Sequence, residues 1–254
     1  MTLIKPTLPP ILGPTLDALS PGGSLPWERR GGAAPAAAWL PSDITGVAEW
    51  WRADLGVTDA GGGAVSAWQG QIAGETVTQG TAAARPTLTT QDGQSVLSFD
   101  GGDFLRGAFG TLGAVASPYT WIFVVEQTAG VYLLGGDDLS NRCQVYVSAG
   151  AWRTWSGVAL PSGVSPGGEQ ALVAVYGDAA GKTYVDDLTS PAASGTTGTA
   201  SCDGVTFGAT STGASNLTGY LWEAILVGQE ITAGDLALLG AYLDARYAGL
   251  SLTY

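Results

Sequence analysis

The chain has 254 residues, of which 45% are hydrophobic and only 13% charged, with 39 glycines, two cysteines and no histidine. This length is sufficient for one sizeable domain with a hydrophobic core. The formal net charge of −12 argues against nucleic acid as a partner, because a phosphate backbone is bound through a basic surface. The absence of histidine removes the commonest general base and the Ser-His and Cys-His nucleophile pairs. We therefore expect a protein that is not an enzyme.

The first residues lack the charged segment and following apolar stretch of a signal peptide, and no run of about 18 apolar residues occurs in the chain. We expect a soluble protein with no membrane partner and no export by a signal peptide.

The N-terminal segment, residues 1–38, is rich in proline, glycine and alanine, and eight of the 13 prolines of the chain fall in residues 1–41. Proline excludes a helix or a central strand, and the leucines and isoleucines between the prolines are unlike a disordered linker. We expect an extended arm that docks on its own domain or on a neighbouring subunit, and a flexible N-terminus is the alternative. Within it, Trp27, Arg29 and Arg30 could anchor a subunit interface or form a simple turn.

From about residue 47 the chain changes to short β-type runs separated by clusters of Gly, Ser, Thr, Asp and Pro. The run 121–125 is apolar at every position, which predicts a strand buried on both faces. The run 142–148 alternates between polar and apolar residues, as expected where only one sheet face meets the core. The predicted strands lie near Val47–Arg52, Val65–Trp68, Ser95–Asp100, Thr120–Glu126, Val131–Leu134, Arg142–Ser148, Ala151–Trp155, Gln170–Tyr176, Lys182–Asp186, Val205–Phe207 and Tyr220–Val227.

One helix is predicted near the C-terminus. Residues 232–235 resemble a capping box with Asp235 in place of Glu, and Leu236, Leu239, Leu243 and Tyr247 follow at helical spacing. We expect this helix to close one edge or end of a sandwich.

The order of the sequence landmarks resembles a known family over roughly residues 39–250. The landmarks are Trp39-Leu40-Pro41-Ser42-Asp43, Trp50-Trp51-Arg52-Ala53-Asp54, Val65-Ser66-Ala67-Trp68, Arg85-Pro86-Thr87, Phe99-Asp100-Gly101 with Asp103-Phe104-Leu105, and Tyr220–Val227. They are similar to the concanavalin A-like, LamG-type jelly roll found in bacteriophage virion proteins and bacterial surface proteins. One departure is the turn after Trp68, which reads Gln69-Gly70-Gln71 where similar sequences commonly carry an Asp-x-Ser-Gly turn.

The resemblance implies an all-β fold: a concanavalin A-like jelly-roll sandwich of two antiparallel sheets at residues 39–254, with the extended N-terminal arm and one C-terminal helix. It also implies a module that often binds glycans or surfaces, although a fold alone does not fix a function.

Aromatic side chains on two consecutive predicted strands form the candidate sugar platform, since flat rings stack on the apolar faces of pyranose sugars. The candidates are Tyr146, Trp152, Arg153 and Trp155. Trp152 and Trp155 have opposite parity on one strand, so we expect at most one of them to be exposed unless a bulge intervenes. Core packing is the alternative role for these tryptophans, and it is the one that we assign mainly to Trp39, Trp50, Trp51, Trp68, Trp121 and Trp222.

Other chemistry receives weaker support. No cofactor is expected, with Ca²⁺ at Asp137 and Asp138 as the alternative to plain turn residues. None of the glutamates forms a Glu-x-Asp-x-x-Glu motif of a glycosidase, and Glu126 and Glu223 are interpreted as solvated residues at strand ends. Cys143 and Cys202 are interpreted as separate buried thiols, with a disulfide as the alternative.

These observations favour a bacteriophage virion structural protein of decoration or fibre type, located in the virion. In this hypothesis the arm docks on other capsid or tail proteins, and the lectin-like domain is displayed for adhesion to glycans or the host surface. A homo-oligomer is expected, with a trimer by analogy to fibre proteins. The alternative is a free carbohydrate-binding module of a bacterial surface or secreted protein.

Overall fold

A computed structural model describes residues 38–138 and 142–254. Within these residues the chain forms strands β1–β17 and one α-helix, α1. The strands are β1 (Val47–Arg52), β2 (Val57–Asp59), β3 (Val65–Gln69), β4 (Thr76–Thr78), β5 (Thr87–Gln91), β6 (Gln94–Asp100), β7 (Leu105–Ala108), β8 (Tyr119–Gly130), β9 (Tyr132–Gly135), β10 (Gln144–Ser148), β11 (Ala151–Trp155), β12 (Ala159–Pro161), β13 (Gln170–Tyr176), β14 (Gly181–Val185), β15 (Ala193–Gly195), β16 (Gly204–Phe207) and β17 (Leu217–Val227). The helix α1 spans Ala233–Arg246.

The strands form two antiparallel sheets. The eight-stranded sheet has the order β15-β14-β13-β8-β17-β6-β5, and β1 pairs with the second half of β17. The nine-stranded sheet has the order β12-β11-β10-β9-β16-β7-β4-β3-β2. Eight of the fifteen strand pairs in the described part of the chain join consecutive strands, and seven, including β8 with β17 and β7 with β16, join strands that are not consecutive, so crossovers as well as hairpins connect the strands of each sheet. The expected all-β sandwich of two antiparallel sheets with one C-terminal helix is confirmed.

The main hydrophobic core lies between the two sheets. Side chains that alternate along each strand fill it, because successive residues of a strand point to opposite faces. Trp121, Phe123 and Val125 of β8 contribute from one sheet, and Trp68 and Phe207 contribute from the other. The ring of Phe207 lies 5.4 to 6.1 Å from those of Trp51, Trp68 and Trp121, so aromatic contacts join the sheets at the centre of the core.

A second core lies on the outer face of the eight-stranded sheet, beneath α1. Ile122 and Val124 of β8 face this side, where they join the buried helix residues Leu236, Leu239 and Leu243. This arrangement explains why β8 is apolar at every central position, and it confirms the strand that we expected to be buried on both faces. The helix therefore covers a sheet face, and the expectation that it closes an edge or end was wrong.

The helix begins as the capping pattern predicted. The Thr232 hydroxyl accepts a hydrogen bond from the Asp235 backbone N–H at 3.1 Å and donates to the Asp235 carboxylate at 2.9 Å. Among the described residues, no helix is both long enough and apolar enough to cross a membrane.

All eleven predicted strands occur, with ends that differ by a few residues. Six short strands were missed, namely β2, β4, β5, β7, β12 and β15. They are three to five residues long and mostly exposed or half-buried, so they lack the apolar alternation by which strands are recognised. The proposed anchor residues Trp27, Arg29 and Arg30 lie outside the described residues.

Candidate functional site

Five side chains form a cluster on the outer face of the nine-stranded sheet, which we call the outer-face patch: Tyr132, Arg142, Tyr146, Arg153 and Trp155. Tyr146 of β10 pairs with Tyr132 of β9 on one side and with Arg153 of β11 on the other. Trp155 lies two residues beyond Arg153 and so faces the same way. Every member is half-buried, which leaves part of each side chain accessible to a ligand.

The two tyrosines of the patch are stacked. Their ring centroids lie 5.2 Å apart and their planes differ by 20°. Burial raises the pKa of Tyr132, the nearby Tyr146 raises it further, and the positive charge of Arg142 opposes both effects. The Tyr132 phenol therefore stays protonated near neutral pH and can both donate and accept a hydrogen bond.

Two arginines border the aromatic rings. The Arg142 guanidinium lies over the Trp155 ring at 4.9 Å from its centroid, in cation–π geometry. The Arg153 Nε donates a hydrogen bond to the Ser148 carbonyl at 3.3 Å, which ties this side chain to the β10–β11 turn. The patch thus combines flat apolar rings, two phenol hydroxyls and two fixed cations.

Trp152 does not belong to the patch, and its assignment to a sugar platform was wrong. Its parity in β11 turns the side chain into the main core, where it is completely buried and its indole Nε1 donates to the Gln170 side chain at 3.0 Å. Of the two tryptophans only Trp155 reaches the outer face, as the parity argument required. Whether Tyr146, Arg153 and Trp155 bind sugar stays a prediction.

The sequence analysis did not select Tyr132 or Arg142 for the platform. A register irregularity between β9 and β10 places Tyr132 beside Tyr146, so strand parity alone does not predict that these two residues are neighbours. Arg142 precedes β10, so no strand pattern places it in the patch, and it joins the patch through its contact with Trp155 and its charge near Tyr132. The available signal was an aromatic residue on the strand next to Tyr146.

The two aspartates proposed for calcium lie together with a third one. The carboxylates of Asp137, Asp138 and Asp203 have oxygen atoms within 4.8 Å of one another. Burial raises the pKa of Asp137 to about 6, and the negative charge of Asp203 adds to the rise. Three carboxylates are a partial ligand set for an ion that takes six to eight oxygens. We retain the interpretation of turn residues and expect no change in Tm when millimolar calcium is added.

Two buried glutamates hold loops together by accepting backbone hydrogen bonds. The Glu49 carboxylate accepts from the backbone N–H groups of Trp50, Ile72 and Glu75 at 2.7 to 2.9 Å. The Glu75 carboxylate in turn accepts from the backbone of residues 110, 111 and 112 at 2.6 to 2.8 Å. These satisfied carboxylates serve the structure rather than an open catalytic cleft.

Glu223 is a third buried glutamate, and its assignment to solvent was wrong. It lies beneath α1, where its carboxylate accepts hydrogen bonds from the Trp50 indole and from the hydroxyls of Tyr242 and Tyr247. Burial raises its pKa, and the hydrogen bonds from Tyr247 and Trp50 oppose the rise. Its side chain points to the helix face of β17, which the apolar neighbours in the sequence did not reveal.

Cys143 and Cys202 are adjacent although 59 positions separate them. Both are completely buried free thiols, and their Sγ atoms lie 2.6 Å apart. The sequence predicted burial correctly but did not predict that the two side chains meet.

Comparison with solved structures defines the class of this fold. Trypanosoma rangeli sialidase in complex with sialic acid matches with a TM-score of 0.55 and 16% identity, over 78% of this chain and 33% of the sialidase. Domain 4 of AbnA, a GH43 extracellular arabinanase from Geobacillus stearothermophilus in complex with arabinotriose, matches with a TM-score of 0.52 and 12% identity, over 78% of this chain and all of that domain. The binding domain of Paraclostridial Mosquitocidal Protein 1 matches with a TM-score of 0.56 and 8% identity, over 81% of this chain and 54% of that one.

At these identities the likeness concerns the fold alone, and the chain spans about a third of the length of the sialidase. The described residues form a jelly-roll-like β-sandwich. No protein-family model matches the sequence, and a comparison with curated proteins finds no match.

Proposed function

We propose that this protein is a lectin-like adhesion module of a bacteriophage virion, of decoration or fibre type, and that its outer-face patch binds surface glycans. The observation that carries the glycan part is the grouping of three aromatic rings and two arginines on one accessible sheet face. Flat rings stack on the apolar face of a pyranose ring, and the phenols and guanidinium groups supply hydrogen bonds to its hydroxyls.

The fold supports the same proposal. A jelly-roll-like sandwich presents broad sheet faces, and two of the similar structures are described as a carbohydrate-bound domain and a binding domain. The buried glutamates bind backbone or side-chain donors within the fold, which favours binding over glycoside hydrolysis, where two carboxylates flank a scissile bond.

The virion part is supported by the order of the sequence landmarks and by the proline-rich segment 1–38. In this proposal the segment docks on a capsid or tail protein, with Trp27, Arg29 and Arg30 as anchors, and copies of the chain associate as trimers. The second candidate is a free carbohydrate-binding module of a bacterial surface or secreted protein, which the aromatic patch favours equally.

Substitution of Trp155 by Ala tests the glycan site. Loss of the ring removes the stacking platform, so we expect Trp155→Ala to abolish binding on a polysaccharide array with little change in Tm. Tyr254→Ala is the matched control, because Tyr254 is an exposed aromatic residue outside the patch. Trp152→Ala should instead destabilise the fold by about 3 to 5 kcal/mol, as expected for a buried tryptophan. Unchanged glycan binding by Trp155→Ala would contradict the proposed site.

Deletion of residues 1–38 tests the arm. We expect the remaining sandwich to fold, with a Tm close to that of the full chain, but to be missing from purified particles. Full-length protein produced in parallel is the control for incorporation. Normal incorporation of the shortened chain would contradict docking through the arm.

A further inference from the structure

We propose that the outer-face patch selects acidic glycans, whose sugar units carry a carboxylate, over neutral ones. This inference rests on the proposed glycan-binding function and names the ligand class of the same site.

The distribution of positive charge is the first observation. Among the described residues, the three ion pairs engage Arg52 and Arg246 with Asp54, and Lys182 with Glu230. Arg142 and Arg153 form no ion pair with any of these residues. Within the part of the chain that the structure describes, two cations without a carboxylate partner therefore lie together on one patch of a strongly acidic chain.

Two other arginines in the described part of the chain also lack ion pairs, but they have structural roles. Arg85 donates to the carbonyls of Gln79 and Gly80, and Arg106 donates to the carbonyl of Ser211, so each guanidinium fastens a loop of its own fold. Arg142 instead lies on the Trp155 ring, and Arg153 uses only its Nε in the bond to Ser148. Their terminal N–H groups have no such loop carbonyl in the described structure and suit a bidentate bond to a ligand carboxylate.

The geometry places these charges beside the stacking surface. Arg153 lies directly opposite Tyr146 in the sheet, and Arg142 covers part of Trp155. A pyranose ring stacked on the patch would carry its substituents at the ring edge, within reach of a guanidinium group. An acidic sugar can therefore satisfy the rings and the cations together, whereas a neutral sugar leaves both charges uncompensated.

The net charge of −12 restricts the source of any preference for acidic glycans. At long range the chain repels polyanions, so non-specific attraction cannot produce a preference for acidic glycans. Any such preference must come from charges within about 8 Å of the ligand, the screening distance at physiological salt.

An array that pairs each acidic oligosaccharide with its neutral methyl ester tests the inference. The acidic probes are oligosaccharides of galacturonate, glucuronate and sialate, and the esters keep size and shape while the charge is removed. We expect the protein to bind at least one acid about tenfold more tightly than its ester, as a charge-assisted hydrogen bond would produce.

Two variants test whether Arg142 and Arg153 cause the preference for the acid over its ester. Arg142→Gln and Arg153→Gln should each lower the acid-to-ester affinity ratio toward one with little change in Tm, because binding of the acid weakens much more than binding of the ester. Lys182→Gln is the matched control, since it removes a positive charge from the other sheet, and it should keep the preference.

The outcomes separate this inference from the proposed function. Equal binding of acid and ester that Trp155→Ala abolishes would overturn the acidic preference and leave glycan binding standing. A preference that survives both arginine substitutions would also overturn it. Binding of no glycan on the array would contradict the proposed function, and this inference would fail with it.

Discussion

At the scale of single residues, buried carboxylates stabilise this fold by accepting hydrogen bonds from the protein. Glu49, Glu75 and Glu223 are almost completely buried, and each accepts at least three hydrogen bonds from the protein. A buried carboxylate is tolerated only when its oxygens are satisfied in this way. Removal of a single donor should therefore be costly, because the charge stays behind without full compensation.

The hydroxyl of Tyr247 provides the clearest case. Tyr247→Phe removes one donor to the buried Glu223 carboxylate and creates no cavity, so we expect the free energy of unfolding to fall by about 2 kcal/mol. Chemical denaturation near neutral pH measures this loss. Tyr254→Phe is the control, and it should change stability little. The Tyr254 hydroxyl is exposed, and its hydrogen bond to the Asp244 carboxylate is long, at 3.5 Å. An equal effect of both variants would contradict the assigned role of Glu223.

The adjacent cysteines give a second expectation at this scale. Burial raises the pKa of Cys202 well above its usual value, so neither accessibility nor ionisation favours reaction. We expect no thiol to react with a disulfide reagent in the native protein and two to react after denaturation without reductant. Absence of reactive thiols after denaturation would show that the pair is bridged.

At the scale of elements, the helix α1 turns a two-sheet sandwich into a molecule with three layers. Its buried leucines cover Ile122, Ile225 and their neighbours, which would otherwise leave an apolar sheet face in water. The contribution of the helix therefore depends on which of its faces a residue occupies.

Two adjacent leucines test this arrangement. Leu239 is completely buried against the sheet, whereas Leu238 is 47% exposed. We expect Leu239→Ala to lower the free energy of unfolding by about 2 to 5 kcal/mol, and Leu238→Ala to lower it by less than about 1 kcal/mol. Equilibrium unfolding in urea measures both. Similar losses for the two variants would contradict the packing of the helix on the sheet.

Elements with strong patterns were predictable from the sequence. The apolar run of β8, the alternation of β10 and the Thr232 cap each reflect a local physical rule, and each is present in the structure. Short edge strands such as β5 were missed because they bury little and owe their form to a neighbouring strand.

The candidate site was predictable from the sequence only where a local strand pattern determines it. Parity along β11 separated Trp155 from Trp152, but the alignment of Tyr132 depends on an irregular pairing of β9 with β10. The position of Glu223 depends on the helix that covers the sheet, and pairing of the cysteines depends on chain segments far apart in sequence. These are long-range contacts, which no local pattern encodes.

At the scale of the whole molecule, several carboxyls are held in surroundings that favour their protonated form. Burial raises the pKa of Asp103 and of Asp137 to about 6, in each case with a like-charged aspartate nearby. Burial likewise raises the pKa of Glu169 to about 7, with further contributions from Asp92 and Glu126. These groups bind protons more tightly in the folded chain than in the unfolded chain, so the free energy of unfolding falls as pH rises from about 4 to about 7.

We therefore expect a higher Tm at about pH 5 than at about pH 8. Hydrogen bonds lower the pKa of Asp54 and of Asp187, and their contribution is lost only as pH falls below about 4, outside this window. Thermal unfolding across this range measures the difference. A lower Tm at about pH 5 would contradict the expectation.

Glu169→Gln tests how much of the pH dependence of the Tm comes from the Glu169 carboxyl. The variant should have a higher Tm than the wild type at about pH 8 and a similar Tm at about pH 5, because the amide carries no charge at either pH. Asp244→Asn is the control for net charge, since it removes a negative charge from an exposed position on α1.

The turn after Trp68 shows how such a molecule can vary in sequence while its fold is kept. Its shape is imposed from inside by Glu49, whose carboxylate leaves no room for a Cβ atom at Gly70. The side chains of Gln71 and Ile72 face the solvent. Substitutions at these outward positions should be nearly neutral under selection, whereas Gly70 and Glu49 should change only together. The architecture beneath this turn therefore does not depend on the identity of the residues at its outward positions.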